Sequence, residues 1–184
     1  MKTLTRLSTL TAALCLTAAS SAGVATGASA ATTSRAATTS TATEFKTATT
    51  GIGPFQIENV AFSQCIDAPG GALNVRLRLA PCSPSSSSTQ LWTLMPIAPS
   101  TYTIVNKVSG FCMEVNNGTA TPGETVDQFT CNGLASEQWV ADGISFRHQG
   151  TNQCLDTVGG AGSQLMQFTC GQAARPGAQS WFLP

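Results

Sequence analysis

The chain repeats one pattern three times. Cys65-Ile66-Asp67, Cys112-Met113-Glu114 and Cys154-Leu155-Asp156 each open a unit. Each unit runs through Gly- and Asn-rich turn residues to a second cysteine, Cys82, Cys131 or Cys170. It closes on Gln90-Leu91-Trp92, Glu137-Gln138-Trp139 or Gln179-Ser180-Trp181. The opening cysteines are 47 and 42 residues apart, and the tryptophans give the same two spacings. A period that holds at both ends of a unit is an internal repeat, and it constrains the fold more than any local propensity does.

Aligned on the first cysteine, the units share more. Ten residues upstream stand Phe55, Tyr102 and Ile144; eight upstream, Ile57, Ile104 and Phe146; six upstream, Asn59, Asn106 and His148. Apolar residues two apart predict a half-buried strand in each unit. Pro69-Gly70-Gly71, Asn116-Asn117-Gly118 and Gly159-Gly160 then mark matching turns. A second strand is expected to run into the second cysteine, over 74–80, 125–130 and 163–169. No window of the repeats has a helical period. One unit of short strands cannot bury its own apolar face, whereas three around a common axis can. The three tryptophans and the Phe55/Tyr102/Ile144 and Ile57/Ile104/Phe146 sets are the expected filling. Closing the strands into a barrel also removes exposed sheet edges, so an all-β threefold barrel is expected.

The 184 residues are not all domain. Lys2 and Arg6, the apolar stretch 10–19, which is too short to span a bilayer, and Ala28-Ser29-Ala30 read as a secretory signal peptide over 1–30. Residues 31–50 are a Thr/Ala/Ser tract with too little apolar surface to offset the entropy of ordering, so a disordered linker is expected. Residues 51–184 form the domain. Lys+Arg and Asp+Glu both number 9 in the whole chain, so losing Lys2 and Arg6 leaves a net charge near −2. Nothing in this attracts nucleic acid, and no membrane span is expected.

Setting aside Cys15 of the signal, six cysteines remain, an even number in an exported chain, which implies disulfides. If the units fold alike, the pairing that repeats lies within each unit: Cys65–Cys82, Cys112–Cys131 and Cys154–Cys170. Such separations lack the close spacing of zinc ligands, so no metal or other cofactor is expected. His148 occupies the register of Asn59 and Asn106, which predicts a structural polar position.

Three units with Cys-Leu-Asp near the start and Gln-x-Trp at the end resemble the ricin B-chain-type lectin domain over 51–184. The resemblance implies a β-trefoil with α, β and γ lobes in chain order and a shallow sugar pocket on each lobe. It implies that the acid of Cys-Leu-Asp accepts hydrogen bonds from sugar hydroxyls. An aromatic two residues before the second cysteine stacks on the sugar, and an Asn-Gln pair before the Trp adds amide bonds. That chemistry suits a ligand with one apolar face and a rim of hydroxyls. Carried over, the γ lobe keeps Asp156, Phe168 and Gln179, with Ala178 for Asn. The β lobe has Glu114 for Asp, keeps Phe129, and has Ser136-Glu137 for Asn-Gln. The α lobe keeps Asp67 and Gln90 but has Ala80 for the aromatic and Arg78 facing the site. The γ lobe is therefore expected to bind best, the β lobe second, and the α lobe not at all.

With the signal peptide, the resemblance implies a secreted carbohydrate-binding protein, expected to be a monomer, for galactose- or xylose-type sugars or polysaccharides. The alternative is a degenerate trefoil that binds a protein partner or acts as an inhibitor. Catalysis is not expected. A glycosidase needs two carboxylates about 5 to 10 Å apart, and one carboxylate per lobe would be held apart by the threefold geometry. Gly-x-Ser-x-Gly and phosphate-loop motifs are also missing.

Overall fold

A computed structural model describes residues 50–83 and 88–184. The expected signal peptide and the linker as far as residue 49 lie outside the described residues. The α lobe carries β1 (Ile52–Phe55), β2 (Glu58–Asn59), β3 (Gln64–Asp67), β4 (Val75–Arg76), β5 (Arg78–Pro81) and β6 (Trp92–Ala98). The β lobe carries β7 (Thr101–Asn106), β8 (Cys112–Val115), β9 (Val126–Phe129) and β10 (Gln138–Asp142). The γ lobe carries β11 (Ser145–His148), β12 (Cys154–Thr157), β13 (Leu165–Phe168) and β14 (Trp181–Phe182). Among the described residues the only helical pieces are single 3₁₀ turns, and no helix is long and apolar enough to cross a membrane.

The first and last strands of each lobe build a ring. β6 pairs with β1 and β7, β10 pairs with β7 and β11, and β14 pairs with β2, all antiparallel. The Trp181 N–H donates to the Ile144 carbonyl at 2.7 Å and ties β14 to the start of the γ lobe. The ring therefore has no open edge, the condition that rules out edge-to-edge pairing. The middle strands form one hairpin per lobe, β3–β5, β8–β9 and β12–β13. These hairpins meet on the axis: Leu77 N–H donates to the Val126 carbonyl and Leu165 N–H to the Leu77 carbonyl, both at 2.9 Å. Leu77, Val126 and Leu165 are fully buried there. This is a β-trefoil.

The tryptophans sit at equivalent points of the ring. Trp92 lies opposite Asn106, Trp139 opposite His148 and Trp181 opposite Asn59, so each tryptophan faces the polar register residue of the next lobe. Each indole Nε1–H donates to a backbone carbonyl 26 residues upstream: Trp92 to Ile66 at 3.0 Å, Trp139 to Met113 at 3.0 Å and Trp181 to Leu155 at 3.1 Å. Those acceptors follow the first cysteines. The indole thus locks the ring strand onto the hairpin of its own lobe while its face fills the core with Ile57, Ile104 and Phe146.

The polar register residues also brace the ring. Asn59 Nδ2 donates to the Ala178 carbonyl at 3.0 Å, and Asn106 Nδ2 donates to the Thr89 carbonyl at 3.1 Å. His148 is fully buried, packs against Trp139 with ring centroids 5.4 Å apart, and bonds through Nδ1 to Thr151 Oγ1 at 2.8 Å. Burial pushes its pKa below the usual 6.5, against the pull of the Ala135 and Ser136 carbonyls. A buried neutral imidazole in a bracing network is a structural group.

One expected core residue is not in the core. Ile144 is 61% exposed, whereas Phe55 and Tyr102 pack against the cluster. The cause is the length of the hairpin. β10 and β11 meet at Asp142 and Ser145, which leaves Ile144 in the two-residue turn beside Gly143 at φ +60°. In the β lobe the strand begins at Thr101, so Tyr102 is already paired, opposite Trp139.

The three disulfides close as Cys65–Cys82, Cys112–Cys131 and Cys154–Cys170, with Cα atoms 4.9, 5.1 and 5.0 Å apart. Trp139→Phe keeps an aromatic ring in the core, though a smaller one, and leaves the buried Met113 carbonyl without its donor. It should cost about 1–3 kcal/mol of unfolding free energy in urea titrations, with an unchanged m-value.

Candidate carbohydrate site

The disulfide and the strand register fix what stands in each hairpin. The first cysteine lies opposite the position of the expected aromatic: Cys65–Ala80, Cys112–Phe129 and Cys154–Phe168. Two residues along, on the same face, the acid of each Cys-x-Asp/Glu meets its own cross-strand neighbour. Asp67 meets Arg78, Glu114 meets Asp127, and Asp156 meets Met166. The three lobes thus set three different chemistries on one frame.

In the α lobe Arg78 Nε lies 3.4 Å from Asp67 Oδ2, and Asp67 is buried. Arg78 satisfies the acid, and Ala80 offers no ring. In the γ lobe Asp156 is 1% exposed. Its Oδ1 accepts the Thr157 N–H at 2.6 Å, and its Oδ2 accepts Gln179 Nε2 at 2.8 Å. Burial raises its pKa despite those two bonds. Phe168 is half-buried. A cleft of about 570 Å³ borders Gln179, Arg147 and Arg175 in this lobe, but its wall includes neither Asp156 nor Phe168.

The β lobe is open. A cavity of about 670 Å³ is walled by Glu114, Asp127 and Phe129, with Asn74, Asn116, Asn117, Asn132 and Ser136 around them. Its rim is the 3₁₀ turn Asn116–Gly118, where Asn117 and Gly118 both have positive φ, 56° and 59°. Asn and Gly tolerate that geometry best. Ser136 Oγ donates to Glu114 Oε2 at 3.4 Å. Asp127 is 8% exposed and its Oδ1 has no hydrogen-bond partner. Burial pushes the Glu114 carboxyl above its usual range, helped by the charges of Glu137 and Asp127 and opposed by Ser136. Burial likewise raises Asp127, helped by Glu124; the Thr125 hydroxyl and Arg76 favour its charged form. Thr125 Oγ1 is itself buried without a well-formed hydrogen bond.

The residue before each Leu/Gln/Ser-Trp does the same structural task in every lobe. Gln90 Oε1 accepts the Ser83 N–H at 2.9 Å, and Gln179 Oε1 accepts the Gly171 N–H at 2.8 Å. Glu137 accepts the Asn132 and Gly133 N–H groups at 2.8 and 3.0 Å. Each pins the loop after the second cysteine, which in the β lobe carries Asn132 into the cavity wall.

The hairpins therefore bring Asp67, Glu114 and Asp156 to equivalent points, but the carboxylates do not fall one per lobe. Asp127 and Glu137 accompany Glu114. Asp127 was legible two residues before Phe129, on the same strand face, once Cys112 is set opposite Phe129. Asn74 was not, because it comes from the α lobe through the β4–β9 pairing of Val75 with Gln128 and Arg76 with Asp127. Among the described residues no group of three or more His, Cys, Asp or Glu side chains has the arrangement of a metal site.

This fold and these three hairpin sites define a ricin-type trefoil. The model of the ricin-type β-trefoil lectin domain matches residues 53–181, and the chain belongs to that family. Similar solved structures include the designed threefold-symmetric protein ThreeFoil, at 19% identity and TM-score 0.65, covering 72% of this chain and 98% of that one. The Polyporus squamosus lectin bound to Neu5Acα2-6Galβ1-4GlcNAc is 17% identical with TM-score 0.62, covering 73% of this chain and 49% of the lectin. The C-terminal half of the earthworm R-type lectin in complex with GalNAc is 14% identical with TM-score 0.55, covering 70% and 95%. An exo-β-1,3-galactanase from Clostridium thermocellum is 18% identical with TM-score 0.62, and the chain spans 29% of its length. At these identities the likeness is one of fold. No curated protein sequence matches the chain.

The raised pKa of Asp127 has a consequence for stability. A folded-state pKa above the ordinary 3.8 means that the folded protein holds the proton more tightly, so this group's contribution is lost as pH rises from 3.8 through the folded value. Asp127→Asn should therefore raise the thermal midpoint at pH 7. The gain should disappear near pH 3, where the wild-type carboxyl is protonated in both states.

Proposed function

We propose that this is a secreted carbohydrate-binding protein, and that its β lobe carries the principal sugar site. The observation behind this reading is the β-lobe cavity, which unites a ring, two carboxylates and a rim of amides in one open pocket. Phe129 supplies the stacking face. Glu114 and Asp127 accept from hydroxyls, and the asparagines donate and accept around them. Galactose- and xylose-type sugars are the class that the family resemblance implies. Three disulfides support an oxidising, extracellular setting.

The γ lobe stands second in this reading, reversing the order expected from its better-preserved motif. Asp156 keeps the family's residue type, but both of its oxygens already hold internal donors. A sugar there would have to compete with Gln179. The α lobe, with Arg78 on Asp67 and no ring, is assigned no site. The Phe168→Ala and Phe129→Ala pair separates the lobes, since either change trims a half-buried ring outside the core cluster.

A glycan array and a polysaccharide pull-down with the oxidised protein test the proposal. Binding to a defined glycan should fall at least about tenfold in Phe129→Ala and less than about twofold in Phe168→Ala, as expected for a lost stacking contact of about 1.4 kcal/mol. The reverse pattern would move the site to the γ lobe. Absence of glycan binding by the folded protein would favour the protein-binding alternative.

A further inference from the structure

We propose that the β-lobe pocket selects a sugar bearing a free amine, an unacetylated 2-amino sugar within a glycan, whose ammonium lies between Glu114 and Asp127. The inference rests on the reading that this pocket binds carbohydrate and adds the chemical class of the sugar.

The three lobes supply the argument. In the α lobe the position opposite the acid holds a cation, Arg78, which pairs with Asp67. In the γ lobe that position holds Met166, and the acid is satisfied by Gln179 and a backbone N–H. In the β lobe the same position holds a second acid, Asp127. Two like charges directly opposite across a hairpin repel each other and are destabilising unless something neutralises them. Among the described residues no basic side chain lines the cavity. Asp127 is 8% exposed and forms part of the cavity wall, and its Oδ1 makes no well-formed hydrogen bond, although the Thr125 hydroxyl favours its charged form. Two carboxylates held opposite each other at a pocket wall are costly in the empty protein, and a cation arriving with the ligand offsets that repulsion.

The surroundings support a cation over a neutral hydroxyl. Glu124 and Glu137 add negative potential, which raises the Asp127 and Glu114 carboxyls respectively. Among the described residues the cation that acts on Asp127 is Arg76, its register partner on the neighbouring strand; it is exposed, favours the charged carboxylate and forms no ion pair within 4 Å. An ammonium at the pocket would stand where the guanidinium of Arg78 stands in the α lobe. It would make charge-assisted bonds to two carboxylates and approach the Phe129 ring, which also attracts cations. An N-acetyl group removes the charge and adds bulk, so the acetylated sugar loses both interactions.

Isothermal titration at pH 6 tests this with a glucosamine tetramer, its fully N-acetylated counterpart and a neutral galactose-containing oligosaccharide, all in the presence of EDTA. The amine-bearing tetramer should bind at least about tenfold more tightly than the acetylated one. Asp127→Asn should erase most of that preference and leave the weaker binding of the neutral sugar. Asp142→Asn, which removes an exposed charge elsewhere, should keep the preference and so exclude general attraction of a polycation. Equal or tighter binding of the acetylated tetramer overturns the inference, as does a preference that survives Asp127→Asn or binding that EDTA abolishes. Neutral-sugar binding that Phe129→Ala removes, with no amine preference, would leave the carbohydrate reading standing and sink this inference alone. If no oligosaccharide binds, the carbohydrate reading fails and this inference with it.

Discussion

Three indole N–H groups, each donated to the carbonyl after a lobe's first cysteine, hold the structure together. An indole can donate only along one direction, and a buried carbonyl left without a donor is costly. Each tryptophan is thereby fixed in both depth and rotation. Its ring then fills the core, and its strand pairs with the strand that begins the next lobe. Because Trp181 pairs with Asn59, the third lobe closes on the first. The ring, the core and the hairpin positions all follow from that repeated contact.

The same frame frees the outer face of each hairpin to differ. The core is served by residues such as Ile66, Met113 and Leu155, which are fully buried in all three lobes. The residues on the opposite face of those strands contribute little to closure. Arg78, Asp127 and Met166 can therefore occupy one register position without altering the fold. Two lobes settle their acid internally, by an ion pair or by an amide. In the β lobe the Ser136 hydroxyl donates to Glu114, while Asp127 keeps a buried carboxylate oxygen without a well-formed hydrogen bond, at a cost in stability.

Most of the fold was legible because cysteines and tryptophans are rare enough to show a period. Their spacing implied the lobes, the disulfides and the closed ring. The polar register of Asn59, Asn106 and His148 proved to be the set that faces the tryptophans. Ile144 was not legible, since hairpin length decides whether that position is strand or turn, and the alignment on cysteines does not carry that length. The candidate site was legible in its family residues, Asp67, Glu114, Asp156, Phe129 and Phe168, but not in its openness. Whether an acid is exposed, paired or capped depends on its cross-strand neighbour. Gln179 reaching Asp156 is a contact between residues 23 apart that no motif records. Asn74 enters the β-lobe wall from another lobe.

The most direct measurement is the set of side-chain amide and backbone shifts in a ¹⁵N-labelled protein titrated with a bound glycan. The account predicts shifts confined to the β lobe, at Asn116, Asn117, Asn132 and the Asp127–Phe129 strand, with the indole N–H signals of all three tryptophans unmoved. Shifts centred on Gln179, Thr157 and Phe168 would contradict it and place the ligand on the γ lobe.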